Sequence, residues 1–209
     1  MLRFREAVVD GAVAFGCQGT ESPWTIDGGR TLGFELADQL SSQEVLVDRI
    51  LIQVGGGALA SSTIQALTDA TKFGVLERRP VLNAVQAEGC APLARAFNLL
   101  VDTGDAGEAL AGAASNAEAF MWPWDDPYSE ATGILDDVTY DWRPIVWDMA
   151  CGGTPGGPIV AAEEHVLAAH QLVRDHTDVS ADATGTAGLA GLLNSRRDGC
   201  VDPTDRVAL

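Results

Sequence analysis

The run Arg49-Ile-Leu-Ile-Gln-Val54-Gly-Gly-Gly57-Ala-Leu59 constrains this chain more than any other. Ile50 to Val54 is short, apolar and β-branched enough for a strand buried on both faces. Three glycines end it, and Ala58 to Phe73 follows as a helix closed by Gly74. A strand that stops at glycines and opens into a helix leaves backbone N–H groups around a concavity at the positive end of the helix dipole. Glycine belongs there because a Cβ blocks close approach of an anion and because the turn calls for positive φ. Gly55, Gly56, Gly57, Ala58 and Leu59 therefore read as a phosphate cradle. The alternative is a glycine turn that holds nothing.

A second strand, Pro80 to Ala87, and a second helix, Ala91 to Leu100, complete a β-loop-α-β-α order, which predicts an α/β fold with a mostly parallel central sheet flanked by helices. Ahead of it, Arg5 to Gly16 reads as a helix, Cys17 to Asp27 as a loop and Thr31 to Leu40 as a helix. Beyond it, Thr103 to Phe120 is predicted helical with weak ends, and Met121 to Tyr128 is an aromatic loop. A helix from near Pro158 to about Arg174 is predicted, capped by Thr154, followed by a short strand at Val179. Asp182 to Thr186 turns into a last helix, Ala187 to Leu193. Residues 1–194 form one domain on this reading, and 195–209 a polar, poorly packed tail.

Charge narrows the partners. Thirteen Lys and Arg stand against 30 Asp and Glu, a net of −17, with no basic stripe for nucleic acid or anionic membrane. The uncharged run Ile50 to Thr68 carries too many glycines and polar residues for a membrane span. Cys17, Cys90, Cys151 and Cys200 are too widely spaced for a zinc or redox motif, and free thiols suit the cytoplasm. Lys72 is the only lysine.

The phosphate compound is a separate question. Gly55-x-Gly57-x-x-Ala60 fits a dinucleotide fingerprint with Glu88 on ribose hydroxyls, although Glu88 comes later than such an acid usually does. Five ordered segments point elsewhere: Asp27-Gly-Gly-Arg-Thr31, Val54 to Leu59, Val85-Gln-Ala-Glu-Gly89 with Ala91-Pro92-Leu93, Glu130-Ala-Thr-Gly-Ile134, and Asp182-Ala-Thr-Gly-Thr-Ala-Gly-Leu-Ala-Gly191. Together they resemble the second half of threonine synthase and its relatives, the fold-type II, tryptophan-synthase-β-like pyridoxal-phosphate enzymes, over about residues 5 to 194.

The resemblance implies the large-domain portion of that fold, with pyridoxal 5′-phosphate held at its phosphate by Gly55 to Leu59. It implies that Thr184 offers its hydroxyl to the pyridine nitrogen, with Thr186 the other candidate and Asp182 better read as a helix cap. Glu88, Ala131, Thr132 and Gly133 are expected on the substrate side. A neutral hydroxyl partner makes the ring a weaker electron sink than a carboxylate would, which suits elimination or replacement at the β or γ carbon of an amino acid. Threonine synthesis from phosphohomoserine and deamination of a hydroxy amino acid are the expected cases, with Arg30 or Arg143 as candidates for a second phosphate.

In this family the Schiff-base lysine lies in the N-terminal half. Lys72, at the far end of the helix after the glycine loop, reads as a surface residue, so no catalytic residue is expected in this chain. The lysine is expected on a complementary N-terminal-half chain, in a heteromer of unspecified size. A degenerate, non-catalytic subunit and a nucleotide-binding protein are the alternatives. His165, His170 and His176 are spaced onto different helix faces, so no metal site is expected. Asp125-Asp126 and Asp136-Asp137 read as isolated acidic pairs in loops. The tryptophans shape a pocket or pack a surface.

Overall fold

The computed structural model describes residues 2–17, 19–152 and 156–209. Four parallel strands, β1 (Arg49–Gln53), β2 (Val81–Ala87), β3 (Ile159–Ala161) and β4 (Val207–Ala208), lie in the order β3-β2-β1-β4. Arg49 stands opposite Val81 and Gln53 opposite Val85, so β1 and β2 are paired along the whole of β1. β4 covers only Arg49 and Ile50, and the rest of that edge of β1 has no strand beside it among the described residues.

Side chains alternate across the sheet because the strand repeat is two. Ile50, Ile52, Leu82 and Ala84 face one layer, made by α2 (Pro23–Ser42), α3 (Ala58–Lys72), α4 (Pro92–Val101) and α6 (Trp142–Cys151). Leu51, Val85 and Ala87 face the other, made by α7 (Glu163–His176) and α8 (Ala187–Arg197). The short α5 (Ala106–Gly112) packs on α4 and α6 and buries Leu110 in the first layer, while α1 (Leu2–Val9) contributes no described residue to either core. The α/β sandwich is the one predicted, and the glycine loop sits where β1 hands over to α3.

Several elements differ from their sequence-based boundaries. α1 stops at Val9 instead of running to Gly16, because Gly11 turns the chain at φ +100°. α2 starts at Pro23, so Asp27-Gly-Gly-Arg-Thr31 is helical; Pro at the first turn loses nothing, since that N–H has no intrahelical partner. Gly33 of α2 faces Ala66 of α3, and this close packing offsets the poor helix propensity of its glycines. Only Ala106–Gly112 of the Thr103 to Phe120 stretch is α-helical, with a short 3₁₀ turn at Ala117–Ala119.

The region after 129 holds the largest differences. No helix was expected over 142–151, yet α6 lies there; Pro144 falls in its first turn, where a proline is harmless. The helix expected from near Pro158 is instead β3 followed by α7 from Glu163, because Ile159-Val-Ala161 pairs beside Val85, Gln86 and Ala87. Thr154, its expected cap, lies outside the described residues. Val179 is not in a strand. The tail is not loose: α8 continues to Arg197, Val201 is buried, Arg49 Nε donates to Asp205 at 3.1 Å, and β4 joins the sheet. No helix among the described residues is long and apolar enough to cross a membrane.

Candidate cofactor site

Val54 N donates to Val85 O at 2.8 Å, the last ladder bond before the chain leaves the sheet. Gly57 then caps α3 at φ +97°, a conformation that favours glycine, and a Cβ there would also press Ile145 and Thr139 at 3.0 and 3.1 Å. The far wall of the loop is the segment 133–141. Asp141 N donates to Gly56 O at 2.9 Å, and a Cβ on Gly55 would lie 2.5 Å from Asp136 Oδ2. The loop is thus framed on one side by its own helix and on the other by a segment whose carboxylates turn inward.

A cavity of about 300 Å³ opens over the loop, at the small end of ligand-site sizes. It is lined by Gly55, Gly56, Gly57, Ala58 and Leu59 together with Gly133, Ile134, Asp136, Tyr140, Cys17, Gln53 and Thr184. Segments about 75 and 125 residues downstream of the glycine loop therefore meet it in space. Thr184 Oγ1 accepts from Gly133 N at 2.9 Å, which leaves the threonine O–H proton free to be donated. Thr186 is buried and its hydroxyl is spent on Asp182 O and Ala183 O. Asp182 Oδ1 accepts from Gly185 N at 2.8 Å, bracing the turn that presents Thr184.

The expected substrate-side residues divide. Gly133 lines the cavity, whereas Ala131 is buried in the layer under α7 and α8, and Thr132 is exposed outside the lining. Glu88 does not line it either. Its Oε1 accepts from Glu163 N at 2.9 Å and so caps α7, and Glu163 in turn accepts from Ser129 Oγ and Glu130 N at 2.7 and 2.8 Å. Arg30 is paired with Asp69, and Arg143 lies beside Trp147 around a different cavity, so neither lines this one. His165 Nδ1 is 3.1 Å from Asn194 Oδ1. Trp142 is core, while Trp122 and Trp124 flank Arg95 at 3.8 and 5.1 Å from their ring centres.

Cys17, Gln53, Ile134, Asp136 and Tyr140 line the cavity without having been expected there, and Gln86 supports it from behind. Asp136 read as one of an isolated acidic pair in a loop, but burial pushes its carboxyl above the ordinary range, the proximity of the Gly56 amide pulls the other way, and Asp137 adds to the rise. Gln86, within a segment already quoted, is fully buried; its Nε2 donates to Val54 O at 3.2 Å and its Oε1 accepts from Leu93 N and Ala94 N, tying the start of the glycine loop to the N-terminus of α4. Periodicity reports that Gln86 is inside but not that it is a clasp.

Lys72 is the last residue of α3, about 21 Å along the helix from Ala58. Its Nζ sits 5.9 Å from the Phe73 ring centre, and it borders a separate cavity with Trp147.

Residues 3–209 match the family described as pyridoxal-phosphate dependent enzyme. The chain belongs to this family. It is 22% identical over 186 residues to a threonine synthase of Methanocaldococcus jannaschii, covering 89% of this chain and 41% of that protein. It is 24% identical over 172 residues to a threonine synthase of Methanosarcina acetivorans, covering 82% and 37%. A crystal structure of threonine deaminase from T.th. superposes with a TM-score of 0.64 at 20% identity, over 90% of this chain and 55% of that one. Diaminopropionate ammonia lyase of Escherichia coli gives 0.66 at 14% identity, over 99% and 50%. The chain thus spans about two fifths of the length of the curated relatives it matches.

The family's cofactor is pyridoxal phosphate, and the residues here fit it. Gly56 leaves its amide approachable by an anion, since a Cβ there would lie 3.3 Å from Tyr140 Cδ2 and crowd the cavity. Thr184 has a proton to donate within the same cavity.

Proposed function

We propose that this chain supplies the phosphate loop and the pyridine-nitrogen contact of an enzyme that eliminates or replaces a group at the β or γ carbon of an amino acid. The convergence of Gly55 to Leu59, Gly133 and Thr184 on one cavity carries this reading. Bound there, pyridoxal phosphate supplies the electron sink for carbanion chemistry. Amides of the glycine loop and the N-terminus of α3 would hold the phosphate end, and Thr184, its oxygen already engaged by Gly133 N–H, would offer its O–H as a hydrogen-bond donor to the ring nitrogen. A hydroxyl donor leaves that nitrogen without a full positive charge, which favours elimination over reactions that need a strong sink. The names of the relatives, threonine synthase, threonine deaminase and ammonia lyase, support the same class.

The lysine that bonds the cofactor comes, on this proposal, from a complementary N-terminal-half polypeptide, and Glu88, Ala131 and Thr132 join the substrate side once that polypeptide has completed it. The remote position of Lys72 supports this, as do the unpaired edge of β1 and the exposed Val13, Phe15 and Trp24 at the N-terminal end. The test is co-expression with candidate N-terminal halves followed by borohydride reduction and peptide mapping. The cofactor is expected on the partner's lysine; a label on Lys72 with this chain alone refutes the arrangement.

A further inference from the structure

The cradle already contains an anion. Asp136 turns its carboxylate into the glycine loop, with Oδ2 2.5 Å from where a Cβ of Gly55 would lie and 3.6 Å from where one of Gly56 would. A phosphate group needs the same place. At neutral pH it arrives with a charge of about −1.5 to −2, beside a carboxylate that burial has already made reluctant to ionise. Among the described residues no lysine or arginine lines this cavity; Arg5, which acts on Tyr140 from outside the lining, is itself paired with Glu21. The groups around Asp136 sharpen this. Asp137 adds negative charge, Tyr140 across the cavity is neutral with its hydroxyl pushed up by burial and by the same two aspartates, and Cys17 stands at the mouth. Cys90, whose Sγ donates to Asp136 O at 3.3 Å, is held neutral by burial, its thiol pushed up to about 11.

We infer that Asp136 is an internal anion that competes with the phosphate group for the glycine loop and sets how tightly the loop takes it. Loading is an exchange: a phosphate oxygen takes the place beside the loop amides that the carboxylate now crowds, and the carboxylate either swings out or takes a proton from solvent. Asp136 is therefore a specificity residue that favours weakly charged ligands until it is displaced. The inference rests on the glycine loop being the phosphate site, and the test separates the two.

The 209-residue chain is titrated calorimetrically with pyridoxine 5′-phosphate and with pyridoxine, which lack the aldehyde and bind without covalent chemistry. Asp136→Asn and Asp136→Ser are both expected to bind the phosphate ester about tenfold or more tighter than the parent chain at pH 7.5, with pyridoxine affinity unchanged. On lowering the pH the gap to the Asn variant narrows, because protonation, which burial of Asp136 favours, weakens the parent's repulsion while both chains meet the same ligand charge. Equal or weaker binding by the two variants overturns the inference and makes Asp136 a brace for the loop. Absence of binding by variants that circular dichroism shows to be folded overturns it equally, since an unblocked cradle must take phosphate. Adding Gly56→Val to the Asn variant is expected to abolish the gain. If tight binding survives that change, the phosphate site is elsewhere and the cradle reading itself fails.

Discussion

Leu93, Leu100, Ile145 and Met149 fill the face of the sheet covered by α3, α4 and α6, whereas α8 meets the opposite face with Ala187, Gly188, Ala190 and Gly191. Large aliphatic side chains bury much area but hold a helix away from its sheet. Small residues let the backbone come down: a Cβ on Gly188 would lie 2.9 Å from Leu51 O, and one on Gly191 2.5 Å from Val85 Cγ2. The close approach brings the N-terminal turn of α8, with Thr184, over the strand ends beside the glycine loop. One face therefore carries most of the apolar burial and the other positions the site.

The largest effect is expected on the thick face. Leu93→Ala should lower stability by about 3 kcal/mol, within the range for emptying a fully buried leucine site, as read from urea unfolding. A loss near 1 kcal/mol or less would mean that this layer collapses readily and is not the main source of stability.

On the thin face, Gly191→Val should lower stability by about 2 kcal/mol through overpacking against Val85, and the shift of α8 should loosen the Gly133–Thr184 contact. Gly28→Ala in α2 is the matched control: a Cβ there meets nothing within 4 Å, so relief of a helical glycine should stabilise by about 0.5–1 kcal/mol. Equal effects at the two glycines would erase the distinction between a spacer and an ordinary helical position.

The smallest effect is electrostatic. Asp136, Asp141 and Asp148, the carboxyls raised mainly by burial, all lie at or near the thick face, while Asp48 and Asp202, held low by hydrogen bonds from Arg78 and Thr204, are solvated. Asp141 accepts from Gly19 N at 2.9 Å, yet burial outweighs that bond. A carboxyl raised in the folded state contributes stability that is fully present below its unfolded pKa, near 4, and is lost as pH rises through the folded value. The melting temperature of the parent chain should therefore fall relative to that of Asp141→Asn between pH 4 and pH 7. A gap that is flat or moves the other way contradicts the assignment of burial as the dominant cause.

Much of the fold was legible because its central elements have strong local signals. Ile50 to Val54 with three glycines behind it could be little but a strand and a turn, and the order strand, helix, strand, helix leaves few topologies. What was missed was short or ambiguous. β3 and β4 have three and two residues, so their pairing depends on the neighbouring strand and not on any pattern of their own. α6 was hidden by Pro144, a residue that breaks helices except in the first turn where it lies. At the site, the glycine loop was legible from its own strand-glycine-helix pattern and Thr184 from the resemblance, and the two lie around one cavity. Glu88 was expected near the substrate and instead caps α7, since a strand-end carboxylate can turn toward either neighbour and sequence does not record which.

The amino-acid sequence determined the layers of this protein, the glycine turn and the identity of the groups able to meet a phosphate, because these follow from periodicity and from the lack of a Cβ. Only the tertiary structure decided that Asp136 shares that turn and that Glu88 faces away from it toward α7. Both depend on how segments about 80 residues apart fold back on one another, and local chemistry carries no information about that distance.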